Sequence, residues 1–266
     1  MNQSSSHTFS GYTNVPTASQ ALKYQLSKDD YKIPEPSSKN LKRIGSLDQT
    51  TFVEVGTRLS LVVISLLRYM GLSLSPESKI LDWGCGCGRV LIPLSKRLKV
   101  QLYGCDVDET AIAFIKANLP NINSFVSGYN PPLSIMDKYF DSIYAFSVFS
   151  HLPEKEEASW LEELVRITRP GGVLLLSVVG KRSLEIQQER GSNMGVTWKD
   201  VEREGFIFKE NPIHRKDPER WPGVTGNYGL SVHHQDYIVQ EWGKYFTTIK
   251  IVEAGAGGQD IIMCTH

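Results

Sequence analysis

Ile80-Leu81-Asp82-Trp83-Gly84-Cys85-Gly86-Cys87-Gly88-Arg89 is the stretch that decides the fold. An apolar strand runs into a loop with glycine at every second position, and a helix is expected to follow. Glycines let a backbone approach a ligand closely, and the following helix N-terminus offers N–H donors. A dinucleotide site wants G-x-G-x-x-G, and Arg89 stands where its third glycine would be. The spacing present is D-x-G-x-G-x-G, with Asp82 two residues before Gly84. An acid aimed at the loop would repel a diphosphate and attract a cation. Asp82, Gly84, Cys85, Gly86 and Gly88 are therefore the first candidate ligand-binding residues.

Working outward, apolar runs at 79–83, 100–105, 123–127, 139–146 and 173–179 predict strands. Amphipathic stretches at about 88–98, 108–118 and 153–168 predict helices between them. Continuous apolar strands alternating with helices imply parallel strands buried on both faces, hence a Rossmann-like doubly wound sheet. The second strand ends at Asp106, 24 residues after Asp82. An acid there can accept hydrogen bonds from both hydroxyls of a ribose. Its competing role is to cap the next helix, near Asp108. An adenosine whose other end is cationic fits both acids, and S-adenosylmethionine, with its ammonium and sulfonium, is such a molecule.

Residues 1–48 are rich in Ser, Thr, Pro and Lys and read as an irregular arm. Thr51-Phe52-Val53-Glu54 has the form of a capping box, and an apolar stripe from Phe52 to Met70 predicts a core helix ended by Gly71. These features divide the chain into 1–75, an arm and helix positioned to act as a lid, and 76–266, the catalytic domain. Within the latter, 181–232 breaks the regular alternation and reads as a substrate-side insertion, with a short helix at Thr197 to Glu204. A helix near 234–243 and strands near 245–252 and 259–264 complete the chain.

Charge is balanced, with 29 basic and 29 acidic residues, so no electrostatic footprint argues for nucleic acid or an anionic membrane. Residues 1–10 lack the apolar core of a signal peptide. The apolar stretch Leu59 to Leu67, bounded by Arg58 and Arg68, is shorter than the roughly 20 residues a span needs. A cytoplasmic protein without membrane partners is expected. Cysteines at 85, 87, 105 and 264 lack the spacing of a zinc site, so no metal is expected.

LDWGCGCGR, YGCDVD, GYNPPL, FDSIYAFSVFSHL, WLEELVRITRPGG and LLLSVVG occur in order, and together they resemble the class I S-adenosylmethionine-dependent methyltransferases. Among these they are most similar to a bacterial group that modifies glycans and small molecules. The resemblance implies seven strands in the order 3-2-1-4-5-7-6, with strand 7 antiparallel. It places the loop residues on the methionine part of the cofactor, Asp106 on the ribose and Val107 beside the adenine. It places Gly128 and Tyr129 at the adenine contacts after strand three, and Ser147 and Val148 beside the methyl donor. Arg169-Pro170-Gly171-Gly172 reads as a structural turn. Asn130-Pro131-Pro132-Leu133 resembles the NPP tetrapeptide of base-amine methyltransferases, but Leu133 replaces the aromatic residue and the segment precedes strand four.

Methyl transfer from a sulfonium is an in-line displacement with a good leaving group, so positioning dominates. A hydroxyl acceptor benefits from a general base, for which His151 and His233 are the candidates. His234 reads as a solvated residue near a helix cap. The segment Ile213 to Trp221, with His214, Arg215, Lys216 and Arg220, reads as a charged loop able to clamp a carboxylate or stack on a sugar. Tyr12, Tyr24 and Tyr31 are the aromatic residues of the candidate lid. The leading expectation is an O-methyltransferase acting on a sugar or natural-product hydroxyl. The alternative is a carboxyl O-methyltransferase acting on a peptide or metabolite carboxylate. An N-methyltransferase, a nicotinamide reductase and a non-catalytic S-adenosylmethionine-binding module are weaker readings. Oligomeric state has no sequence signal.

Overall fold

A computed structural model describes residues 33–46, 48–191, 195–211, 223–224 and 227–266. Tyr12, Tyr24 and Tyr31, and the cationic segment from Ile213 to Trp221, lie outside the described residues.

Among the described residues the first helix is short, α1 (Ser38–Arg43), capped by the Ser37 hydroxyl accepting from Asn40 N. The long helix α2 (Gln49–Tyr69) follows. Its cap is Asp48, whose carboxylate accepts from Thr51 N at 2.7 Å, so the helix starts before the expected Thr51 box. The acid wins because an ionised acceptor at the positive end of a helix binds the free N–H groups more strongly than a hydroxyl. By length and composition α2 could also cross a bilayer, which the nine-residue stretch did not indicate. Here Phe52, Leu59, Val63 and Leu67 are buried along it.

The main sheet contains β1 (Lys79–Trp83), β2 (Gln101–Asp106), β3 (Asn123–Val126), β4 (Phe140–Ala145) and β5 (Thr168–Val178), followed near the C-terminus by β8 (Thr248–Ala256) and β9 (Gln259–Thr265). Its order is β3-β2-β1-β4-β5-β9-β8, with β9 antiparallel to β5 and to β8. This is the expected seven-stranded order, with β8 and β9 standing as strands six and seven. Strand alternation sorts side chains onto two faces. Ile80, Tyr144 and Leu175 point to one face, toward α2, α3 (Leu91–Arg97) and α4 (Glu109–Asn118). Leu81, Ile143 and Leu174 point to the other, where Trp160 and Leu164 of α5 (Glu154–Ile167) cover them. Burial on both faces is what made these strands continuous apolar runs.

The insertion has more regular structure than its sequence suggested. It forms α6 (Lys181–Glu189), α7 (Trp198–Glu204) and a separate antiparallel pair, β6 (Phe206–Glu210) with β7 (Gly229–His233). The expected helix α7 is present, with a capping box between Thr197 and Asp200. A small core of Leu184, Val201 and Val232 holds the insertion together, and a bridge from Val179 to Val232 ties it to the end of β5. The last helix, α8 (Gln235–Tyr237), continues as a π turn over Ile238–Trp242.

Candidate active site

A cavity of about 470 Å³ lies at the C-terminal ends of the central strands, within the size range of small-molecule sites. The sheet's parallel strands all deliver their following loops to this end, which is where open α/β sheets bind ligands. Asp82, Gly84, Cys85 and Gly86 line one end of it, with Asp106 and Val107 beside them. Gly128, Tyr129, Ser147, Val148 and His151 complete the wall. Of the candidate residues, Gly88 and His233 are not on the lining.

Gly84 and Gly86 hold φ of +77° and +52°, and both are also sites of close approach. A Cβ on Gly84 would fall 2.3 Å from Val148 Cγ2, and one on Gly86 would fall 2.8 Å from Ile44 Cγ2. What approaches these glycines most closely is therefore protein, on two sides of the loop. The N–H groups of the loop are also largely consumed. Gly84 N and Cys85 N donate to Cys105 O, Gly86 N donates to Asp106 Oδ2 at 2.8 Å, and Gly88 N donates to Cys85 O. The expectation that free helix-terminal donors greet the ligand is corrected here: α3 starts only at Leu91, and the loop donors have protein partners. A diphosphate, which needs several such donors, finds few.

The acids supply the opposite charge. Asp82 is buried and its carboxyl is pushed up to about 8, chiefly by desolvation, with Tyr144 and Arg89 opposing and Asp106 adding to the rise. A buried carboxyl that costs this much to ionise is stabilised by a cation brought to it. Burial also raises Asp106, against the pull of N–H groups from Asp108 and Gly86 and the charge of Arg43. Asp106 Oδ1 accepts from Asp108 N at 2.9 Å, while the cap of α4 is made by Asp108, which accepts from Thr110 N and Ala111 N. Asp106 is thus not the helix cap; its carboxylate faces the cavity and fastens the glycine loop.

His151 ends the 3₁₀ turn Phe149–His151 and stacks on Tyr228, ring centroids 4.5 Å apart. Its Nδ1 lies 2.8 Å from Gly229 O. A carbonyl can only accept, so Nδ1 carries the hydrogen and Nε2 keeps its lone pair. Desolvation lowers the imidazole to about 4, with the charge of Arg43 contributing and the Gly229 carbonyl opposing, so the ring is neutral at physiological pH. His151 thus presents a hydrogen-bond acceptor on the cavity wall.

His233 is elsewhere. It is 2% exposed, and its Nε2 meets Glu157 Oε2 at 2.7 Å, while Trp242 Nε1 donates to the other Glu157 oxygen at 2.8 Å. Its place at the end of β7 turns the side chain into the interior between Phe206 and Trp242, away from the cavity. His234 caps α8, accepting from Asp236 N.

Sequence reasoning assigned the N-terminal arm and the insertion to the substrate side but named none of the residues that they contribute to the lining. Lys42, Arg43, Ile44 and Gly45, at the end of α1, line the cavity, held there by Arg89 Nη1 donating to Ile44 O. Val224 and Tyr228 come from the insertion. Gly223 lies so close to Val107 that a Cβ would be 2.1 Å from its carbonyl oxygen, and Tyr129 donates its hydroxyl hydrogen to Asn227 O. The cavity is thus bordered by both the N-terminal segment and the insertion.

This sheet order and the acid-flanked glycine loop define the class I methyltransferase fold. Within it, residues 80–172 match the family model described as a methyltransferase domain, and the chain carries that domain. The tRNA N(3)-methylcytidine methyltransferase of Schizosaccharomyces pombe is 30% identical over 196 residues, 70% of this chain and 56% of that protein. The ribosomal protein L11 methyltransferase of Syntrophotalea carbinolica is 28% identical over 128 residues, 47% of this chain and 40% of that one. The chain spans between 40% and 61% of the length of the first curated relatives it matches. Magnesium protoporphyrin IX methyltransferase of Synechocystis, solved with S-adenosylhomocysteine, superposes with a TM-score of 0.55 at 15% identity, covering 86% of this chain and 95% of that one. That likeness shows a shared fold.

Proposed function

We propose that this protein is an S-adenosylmethionine-dependent O-methyltransferase whose acceptor is the hydroxyl of a small molecule. The observation that carries the proposal is the pair of acids, Asp82 and Asp106, on a cavity whose glycine loop has spent most of its N–H donors. The residues fit the cofactor: Asp82 answers the positive charge, Asp106 answers the ribose hydroxyls, and Val107, Gly128 and Tyr129 form the wall for the adenine. When bound, the cofactor supplies an electrophilic methyl group. The chain's own work is to hold the donor, exclude water and align the acceptor. His151 Nε2 is a neutral acceptor on the wall, suited to receive the hydrogen bond of a hydroxyl and to orient its oxygen. With a conjugate acid near 4 it serves better as a positioning acceptor than as a strong base.

Relatives whose names specify tRNA and ribosomal protein keep macromolecular acceptors in view. The balanced charge of 29 against 29 favours the small molecule, because a phosphate backbone is bound mainly through clustered Lys and Arg. Radiolabelled S-adenosylmethionine incubated with the protein and a cell extract, then fractionated, tests this. Label is expected in the low-molecular-weight, base-stable fraction. Label in RNA or protein would replace the acceptor class, and base-labile label would indicate a carboxyl ester. No transfer at all, with S-adenosylhomocysteine still bound, would leave a binding module.

Asp106→Ala is expected to weaken S-adenosylhomocysteine by about 1–3 kcal/mol, or roughly 5–150-fold, since it removes the ribose acceptor and frees Gly86 N. Calorimetry measures this directly, and an unchanged affinity would remove Asp106 from the site.

A further inference from the structure

Ser147 is one of three non-glycine residues held at positive φ among the described residues, at +59°. An L-residue there is strained, and strain of this kind persists only where its surroundings over-determine it. Ser147 follows β4 directly and lines the cavity, and its neighbour Val148 presses Cγ2 into the space a Cβ on Gly84 would occupy. The turn therefore sets the distance between the donor loop and the 3₁₀ turn that carries His151.

What over-determines Ser147 is a closed set of hydrogen bonds. Ser147 N donates to Ser177 Oγ at 2.8 Å. Ser177 Oγ donates to Gln259 Oε1 at 2.7 Å, and Ser147 Oγ donates to the same oxygen at 3.1 Å. Ser177 sits near the end of β5, and Gln259 opens β9 just after Gly257 and Gly258, both at positive φ. The strand pairing of Ala256 with Gln259 across these two glycines is a tight hairpin, which fixes where the Gln259 side chain starts. One carbonyl oxygen, delivered from a segment 112 residues away, thus gathers both serine hydroxyls.

We infer that Gln259 is a positioning residue: its side-chain oxygen holds the Ser147 turn in its left-handed form and thereby shapes the wall between the cofactor loop and His151. Because only the oxygen is used, a carboxylate can replace the amide, whereas an isosteric hydrocarbon cannot. The inference rests on the cofactor assignment above, and the experiment separates the two. Wild-type protein is titrated with S-adenosylmethionine and S-adenosylhomocysteine; absence of binding there overturns the cofactor assignment itself, and the inference with it.

Given wild-type binding, Gln259→Leu is expected to weaken both ligands at least fivefold, and Gln259→Glu to stay within about twofold of wild type. Adding Ser147→Gly to Gln259→Leu is expected to recover part of the loss, because glycine adopts positive φ without needing the clamp. Equal affinities for Gln259→Leu and wild type overturn the inference, as does an equal loss in Gln259→Leu and Gln259→Glu. If Gln259→Leu does not fold, Ser177→Ala, which deletes the middle of the set, replaces it. A fivefold loss there supports the clamp and wild-type affinity overturns it.

Discussion

Raising the pH from 6.5 to 8 is expected to tighten S-adenosylmethionine binding, by up to about tenfold per pH unit, and Asp82→Asn is expected to abolish that dependence. The sign follows from the free protein. Asp82 titrates near 8 because burial penalises its charge, so at pH 7 it carries a proton. A ligand cation beside it favours the ionised form, so binding releases the proton. Affinity therefore rises with pH while the free carboxyl is protonated and the bound one is not, and it levels off above about 8. At pH 8.5 the Asn variant should bind more weakly by about 1.5–3 kcal/mol, roughly 10–150-fold, the range for hydrogen bonds to a charged group. Calorimetry in two buffers of different ionisation enthalpy reads the released proton directly. Because Asp106 is also raised by burial, the variant is what assigns the effect: loss of proton release in Asp82→Asn places it on Asp82. Comparison with S-adenosylhomocysteine then tells which cation is answered, since that ligand keeps the ammonium and lacks the sulfonium. Binding of S-adenosylmethionine that is flat across this pH range would remove Asp82 from the cationic end.

The residues that sequence made legible are those whose role is local. Asp82 and the glycines occupy one strand-to-loop transition, so their spacing alone placed Asp82, Gly84 and Gly86 together on the cavity. Asp106 is legible because the end of the second strand has a fixed place in any doubly wound sheet. The strands were readable because burial on both faces leaves long apolar runs, and the expected sheet order follows from them together with the resemblance. The parts that stayed hidden depend on partners far away in the chain. SKNLKRIG, residues 38–45, gives no hint that Arg89 will pull Ile44 against the glycine loop. Residues 206–210 form a strand only because residues 229–233 return beside them, and Lys209 and Glu210 dilute the apolar signal. The Ser147 turn is invisible without Gln259. His233 misled for a similar reason: a histidine in YGLSVHH, next to an expected helix start, looks accessible, and only Glu157, 76 residues away, shows that it faces inward.

That misplacement carries the largest expected effect on stability. His233→Ala is expected to destabilise the protein by about 3–5 kcal/mol while leaving cofactor affinity near wild type. Glu157 is 1% exposed and holds two donors, His233 Nε2 and Trp242 Nε1. Alanine removes one of them, leaves the carboxylate partly unsatisfied in a water-free setting, and opens a void beside Phe206 and Trp242. For a chain of this size the loss corresponds to a drop in Tm of roughly 6–20 °C. His233→Gln, which can still offer an N–H to Glu157, should lose less. Thermal unfolding of the three proteins, run beside calorimetry with S-adenosylhomocysteine, separates the two roles this histidine could have. A base would give a variant that melts like wild type and transfers no methyl. A buried structural partner gives one that melts early and, below its Tm, binds the cofactor as well as before. The geometry at Glu157 leads to the second outcome, and a His233→Ala protein that kept its melting temperature would return His233 to the list of acceptor-side residues.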